Sequence, residues 1–281
     1  MPFREEYLLF TFISMWVNSK ARVRSVLNGY TLPEAITGMP TFYLERLDLN
    51  VFPDISIAPN LRLGHLVERL VGDLIKSSNN YQVLQDNVQI LEGKITIGEL
   101  DFLIQNRHTN KTTHVELAYK FYLLDPTISP DELGNWIGPN RNDSLLEKLQ
   151  KLKAKQFPLL HDTRTRKQLP QIDFETVDQA LCLLVSFFVP FQYNKPIAAY
   201  YQQGVKGYYL KWNDFKAFNH ASYQYAIPNK KEWGMDPKDN TIWSSFNEVK
   251  SQLEISISEK QSLLVWQKEK EVYSQFFVTW W

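Results

Sequence analysis

The chain has 281 residues, 44% of them hydrophobic and 22% charged, a globular mixture that excludes an intrinsically disordered chain. A single cysteine, Cys182, excludes an internal disulfide framework and fits a reducing compartment. Lys+Arg and Asp+Glu balance at 31 each, so the overall charge gives no support for a nucleic-acid partner; a local basic face would have to supply it.

In chain order, the apolar run Tyr7 to Val17 is shorter than the roughly 20 residues a membrane span needs. Glu5 and Glu6 precede it, where a signal peptide would be basic. It reads as a packed N-terminal helix of a cytoplasmic protein with no membrane partner. Residues 1–57 form a mainly helical lead-in that ends in "NVFPDISIAPN", whose prolines forbid a long regular element. In "LRLGHLVERLVGDLIKSSNN", Leu63, Leu66, Val67, Leu70, Val71, Leu74 and Ile75 follow the three-four spacing of an amphipathic helix, closed by Asn79 and Asn80.

Three strands follow, Tyr81–Leu91, Lys94–Asn106 and Thr113–Leu124, joined by the turns "EGK" and "RHTNKT". A second helix runs from Leu145 to about Phe157, its entry Ser144 to Glu147 having the spacing of a capping box. "ALCLLVSFFVPF" is apolar on both faces and reads as a buried strand with Cys182 in an apolar role. "GYYLKW" reads as another strand, "SFNEVKSQLEISISEKQSLLVWQKEK" as one long helix and "YSQFFVTWW" as a closing strand. No linker breaks the chain. One α/β domain is expected, with a core over 58–195 and a C-terminal elaboration over 196–281.

Side chains alternate across a strand. Glu99, Asp101 and Leu103 therefore share one face of the second strand. His114, Glu116, Ala118 and Lys120 share one face of the third, and the charged rows of the two strands can adjoin. A half-solvated sheet with charges on its outer face is one explanation. The other is convergence. Glu68, at the border of the helix's apolar stripe, has Gly64 and Gly72 at i−4 and i+4, and a glycine in a helix interior costs about 1 kcal/mol relative to alanine. Two glycines around one acid suggest a close backbone approach.

Glu68 in "LGHLVERL", Asp101 in "GELDFLI", and Glu116 with Lys120 in "HVELAYKFYL" resemble the core of the PD-(D/E)XK, or restriction-endonuclease-like, nucleases. More narrowly, "GELDFLI", "HVELAYKFYLL" and "WIGPNRNDSLLEKLQKLKAKQFPLL" resemble a bacterial family described as domain of unknown function 1853. The likeness covers most of the chain and is firmest from Leu63 to Leu160. It implies an α/β fold with a core of helix, three-stranded meander, helix and further strand, surrounded by helical and strand elaborations. It departs from the usual motif in one place. The lysine position two residues after the second acid holds Ala118, and Lys120 lies on the same face about 7 Å further on.

The resemblance implies phosphodiester hydrolysis in nucleic acid. Asp101 and Glu116, with Glu68, would hold Mg²⁺ or Mn²⁺, whose preference is for hard oxygen ligands. Lys120 would orient or deprotonate the attacking water, or offset charge in the transition state. Nucleic acid would meet Lys148 and Lys151 on the second helix, with Asn140 and Arg141 ahead of its N-terminus; a solvated basic face is the other reading. A nuclease-fold protein that binds nucleic acid or a protein partner without cutting remains the alternative function. The aromatic cluster Trp233 to Phe246 suits base stacking or a core.

Overall fold

The computed structural model describes residues 19–50 and 61–281. The expected helix over Tyr7 to Val17 and most of the proline-rich stretch that closes the lead-in lie outside the described residues. Residues 19–27 are helical, but the remaining described part of the lead-in, residues 28–50, is mostly irregular. It contains the two-residue strand β1 (Tyr30–Thr31) and short helical turns at Glu34–Thr37 and Leu44–Arg46.

Helix α1 (Leu63–Ser77) precedes a meander of β2 (Tyr81–Glu92), β3 (Ile95–Asn106) and β4 (Thr112–Leu124). The two-residue strand β5 (Trp136–Ile137), helix α2 (Leu145–Lys151) and the buried strand β6 (Asp178–Pro190) come next. Beyond lie β7 (Val205–Lys211), β8 (Gln224–Ala226), helix α3 (Phe246–Ser258), β9 (Leu263–Glu269) and β10 (Val272–Thr279). One mixed sheet runs β2-β3-β4-β6-β7-β10-β9-β8, with β1 on β6 and β5 on β4. The meander is antiparallel, whereas β4, β6, β7 and β10 are mutually parallel neighbours.

The two long helices of the first half cover opposite faces of this sheet. Val67, Leu70, Val71 and Leu74 of α1 pack with Phe102, Ile104, Val115 and Cys182. Leu145, Leu149 and Leu152 pack with Ala118, Leu181 and Leu183 on the other side. The helical spacing of each apolar set explains why these segments are helices at all: each buried leucine contributes about 1.5–3 kcal/mol only if the stripe meets the sheet. Cys182 is fully buried, its thiol pushed up to about 12 by desolvation.

Beyond the lead-in, two further expectations need correction. The long C-terminal helix ends at Ser258, and the following apolar run is strand β9. Lys260 takes a left-handed turn at φ 57, and Leu264, Val265 and Trp266 then bury themselves by pairing with β10. Tertiary pairing overrides the helical reading there. The second difference concerns the extension of α2. Its residues Leu152–Gln156 form a π turn before the last helical turn Phe157–Leu159. The Phe157 N–H reaches back to the Leu152 carbonyl, five residues away. Pro158 has no N–H and would crowd the carbonyl four residues before it, and the widened turn relieves that conflict.

Candidate active site

Strands β3 and β4 pair only from Phe102–Gln105 against Thr112–Val115. Beyond Val115, β4 continues beside β6 while β3 follows β2. The sheet therefore splits at Asp101 and Glu116. Leu103 lies opposite His114, so alternation places Asp101 and Glu116 on one face at the mouth of the split. In place of the lost ladder, the Leu117 N–H donates to Asp101 Oδ2 at 2.7 Å. Burial and the charge of Glu116 push the Asp101 carboxyl well above the usual carboxylate range, against the lowering effect of the Leu117 bond.

Glu116 is completely buried, which rules out the surface-charge reading for this residue. An uncompensated carboxylate is costly to bury, and here both oxygens have partners. His114 Nε2 lies 2.9 Å from Oε1, and the Gln156 amide donates to Oε2 at 2.6 Å. Gln179 approaches the other ring nitrogen of the buried His114 at 3.1 Å and donates to the Phe157 carbonyl. Gln156 in turn accepts from Lys148 Nζ at 2.9 Å. The π turn makes this chain of contacts possible. Eight residues along a regular α-helix would leave Gln156 rotated about 80° from Lys148, and absorbing one extra residue brings it back to within about 20°.

Glu68 belongs to the helix on the opposite face, yet it lies near enough to the split for its carboxyl to be raised, first by burial and then by Glu99, with Glu116 adding to the effect. His65 Nδ1 lies 3.5 Å from it. The flanking glycines differ. A Cβ on Gly72 would stand 3.2 Å from the Phe102 ring, a true close approach, whereas Gly64 has nothing within 4 Å and lines the open cleft.

A cleft of about 840 Å³ runs along Leu117–Phe121 of β4, next to the split; Glu68 lines it, whereas Asp101 and Glu116 do not. It is lined by Arg62, Lys120, Lys148, Lys230 and Lys231 against the carboxylates of Glu68 and Asp143, a local excess of positive charge in a chain of net charge zero. Lys120 Nζ is 2.8 Å from Asp143 Oδ2, with its side chain 35% exposed. Burial, and then the neighbouring Lys120, lower the pKa of Lys148, while Glu116 and Asp101 oppose the shift.

The remaining expected contacts are dispersed. Lys151 is exposed. Asn140 accepts the Ser262 N–H at 2.7 Å, and Arg141 pairs with Asp125 at 2.9 Å while its guanidinium lies over the Trp281 ring. These two side chains tie the loop before α2 to the C-terminal hairpin. The capping box is half formed: Ser144 Oγ accepts the Glu147 N–H, and the Glu147 carboxylate accepts the Ser144 hydroxyl. The sequence analysis did not single out Gln156, Asp143 or the cleft-lining Lys230 and Lys231. Only Gln156 carried a signal, the proline two residues later.

Among the described residues, no three His, Cys, Asp or Glu side chains are grouped so as to hold a metal ion on their own. Mg²⁺ commonly takes one or two carboxylates, water and substrate phosphate instead of an all-protein cage. Asp101 and Glu116 suit that chemistry, because two buried acids that repel each other are relieved by a cation.

The family model described as Domain of unknown function (DUF1853) matches residues 21–275. The chain belongs to this family. Neither the curated proteins nor the solved structures include a match. The family match spans the split, the cleft and the C-terminal strands alike, so the site lies inside the region that defines the family. Among the described residues, no helix is long and apolar enough to cross a membrane.

Proposed function

We propose that this family member is a divalent-metal-dependent nuclease with a restriction-endonuclease-like core, hydrolysing phosphodiester bonds in nucleic acid. The observation that carries the reading is the meeting of Asp101 and Glu116 where β3 and β4 part, with the Asp101 carboxyl raised by burial and by Glu116. The order of helix, meander, helix and parallel strand around that split is what such a core requires.

Asp101 and Glu116 would hold Mg²⁺ or Mn²⁺ together with water and substrate phosphate, and the Glu68 carboxyl, near enough to feel Glu116, would add negative charge beside them. When bound, the ion supplies Lewis-acid polarisation of the phosphodiester and acidifies an attacking water. His114 and Gln156 keep the Glu116 carboxylate fixed. Two ammonium groups flank the acids. Lys120 offsets charge developing on the phosphate, with Asp143 orienting it. Lys148 has its pKa lowered by burial and by Lys120 and is linked to Glu116 through Gln156, so it is suited to proton transfer as well as charge stabilisation.

The test is a thermal-shift titration with Mg²⁺ and Mn²⁺ together with a cleavage assay on single- and double-stranded DNA and RNA. Metal should raise the melting temperature of the wild type and leave Asp101→Ala and Glu116→Ala unchanged, each variant being compared with and without metal. Cleavage should require the same ions. An equal metal response in wild type and both variants would sink the ligand assignment. A second reading, nucleic-acid binding without cleavage, is favoured by the hydrogen bonds that already occupy both oxygens of Glu116. Metal-independent binding with no cleavage under any condition would select it.

A further inference from the structure

We propose that residues 229–233, from the C-terminal elaboration, form the second wall of the cleft and grip the phosphate backbone of the bound nucleic acid through Lys230 and Lys231. The identity of the ligand rests on the nuclease reading; the existence of the wall does not.

Both lysines are exposed and line the cleft together with Lys120 of β4 and Lys148 of α2. The acid of this segment, Glu232, is turned back to close the turn, its carboxylate accepting the Asn229 N–H at 2.7 Å. The segment therefore keeps Lys230 and Lys231 in the cleft lining while its negative charge closes the turn.

Its mounting is unusually firm for a surface turn. Arg22 is 1% exposed and uses its guanidinium to donate to the Trp233 carbonyl at 2.8 Å and to the Lys231 carbonyl. A buried guanidinium is costly unless its donors are satisfied, and here they fix the main chain on either side of Glu232. The Trp233 ring packs edge-on against Phe121 and Phe277, with centroids 5.4 and 5.0 Å away. Lys230 Nζ lies 5.5 Å from the centre of that ring. Gly234, at φ 86, brings the chain so close to the Tyr119 hydroxyl that a Cβ there would lie 1.8 Å from it. The wall is thus clamped to β4, the strand that carries Glu116.

A rigid turn bearing two ammonium groups reads charge and not base edges. Binding through it is therefore sequence-tolerant and salt-dependent. It also gives the C-terminal half a role: it completes a cleft whose acids come from the first half of the chain.

The experiment is fluorescence anisotropy of a labelled oligonucleotide with the full chain in chelator, across a salt series. It compares wild type, Lys230→Ala/Lys231→Ala and Lys230→Glu/Lys231→Glu. The double alanine variant should bind more weakly, and its log K against log salt should be shallower by about 1.4–1.8, two contacts at about 0.7–0.9 each. The double glutamate variant should bind more weakly still. The metal-induced thermal shift should persist in both, since neither lysine is a ligand. Wild-type binding that both variants reproduce with the same slope overturns the wall and leaves the nuclease reading standing. A wild type that binds no oligonucleotide overturns both.

Discussion

Asp101 keeps its proton more tightly in the folded chain than in the unfolded one, because burial and Glu116 both disfavour its charge. Below the unfolded value of about 3.9 both states are protonated and folding is not penalised. As pH rises above that value, the unfolded state releases the proton first, so stability falls until pH passes the raised folded value. Asp101→Asn does not titrate and can still accept the Leu117 N–H. Its stability advantage over the wild type, without metal, should therefore widen from about pH 4 upward. Urea unfolding across a pH series measures this, and parallel curves would show that Asp101 is not held protonated. Gln156 offers a second test. Gln156→Leu removes a donor from buried Glu116 and the acceptor of Lys148. It should cost about 1.5–3 kcal/mol, as expected for a hydrogen bond to a charged group; a neutral result in the same unfolding assay would contradict the linkage.

At the scale of single elements, α1 and the extension of α2 do different things with their irregularities. In α1 the close approach lies at Gly72 alone, against a fully buried Phe102 that has nowhere to move. Gly72→Val should overpack the contact and cost about 1–3 kcal/mol. Gly64 opens onto the cleft, and Gly64→Ala should leave stability unchanged or raise it by about 0.5 kcal/mol. Equal effects in thermal unfolding would mean that the helix does not sit on the sheet as described. In α2 the π turn brings Gln156 onto the face that Lys148 occupies and leaves Lys151 and Lys155 exposed. A helical wheel drawn at a constant 100° per residue would put Lys155 where Gln156 lies.

The sheet is continuous from β2 through β6, β7 and β10 to β8, and the guanidinium of Arg22 joins residues 19–27 to the wall more than 200 positions away. The two halves should consequently unfold together. Trp136 is buried beneath α2, and Trp266 packs in a cluster with residues of the C-terminal hairpin. Tryptophan fluorescence of Trp136→Phe and Trp266→Phe variants should give unfolding transitions that coincide with far-UV circular dichroism. Separate midpoints would reveal two domains. A net charge of zero coexists with a local excess of positive charge, since the cleft draws Lys120, Lys148, Lys230 and Lys231 from β4, α2 and the C-terminal turn against only Glu68 and Asp143, an excess that the proposed polyanion partner would need.

The sequence by itself determined what depends on local periodicity. The alternation in "GELDFLI" and "HVELAYK" sorted Asp101 and Glu116 onto one face, and the three-four spacing of Leu66, Val67, Leu70 and Leu74 set out α1. Each of those patterns repeats within a few residues and records which side of an element meets the core. The tertiary structure decided everything that needs a distant partner. The split that brings the acids together exists because β3 parts from β4 beyond Val115 and follows β2, while β4 stays paired with β6. Gln156 reaches Glu116 because a proline widens the helix over it, and Asp143 fixes Lys120 from a loop with no regular period. "SLLVWQKE" became strand β9 because β10 was there to pair with it, although its own pattern also allowed a helix. Contacts such as Arg22 with Trp233 leave no periodic trace in either segment, because their energy is realised only when the fold brings the two ends of the chain together.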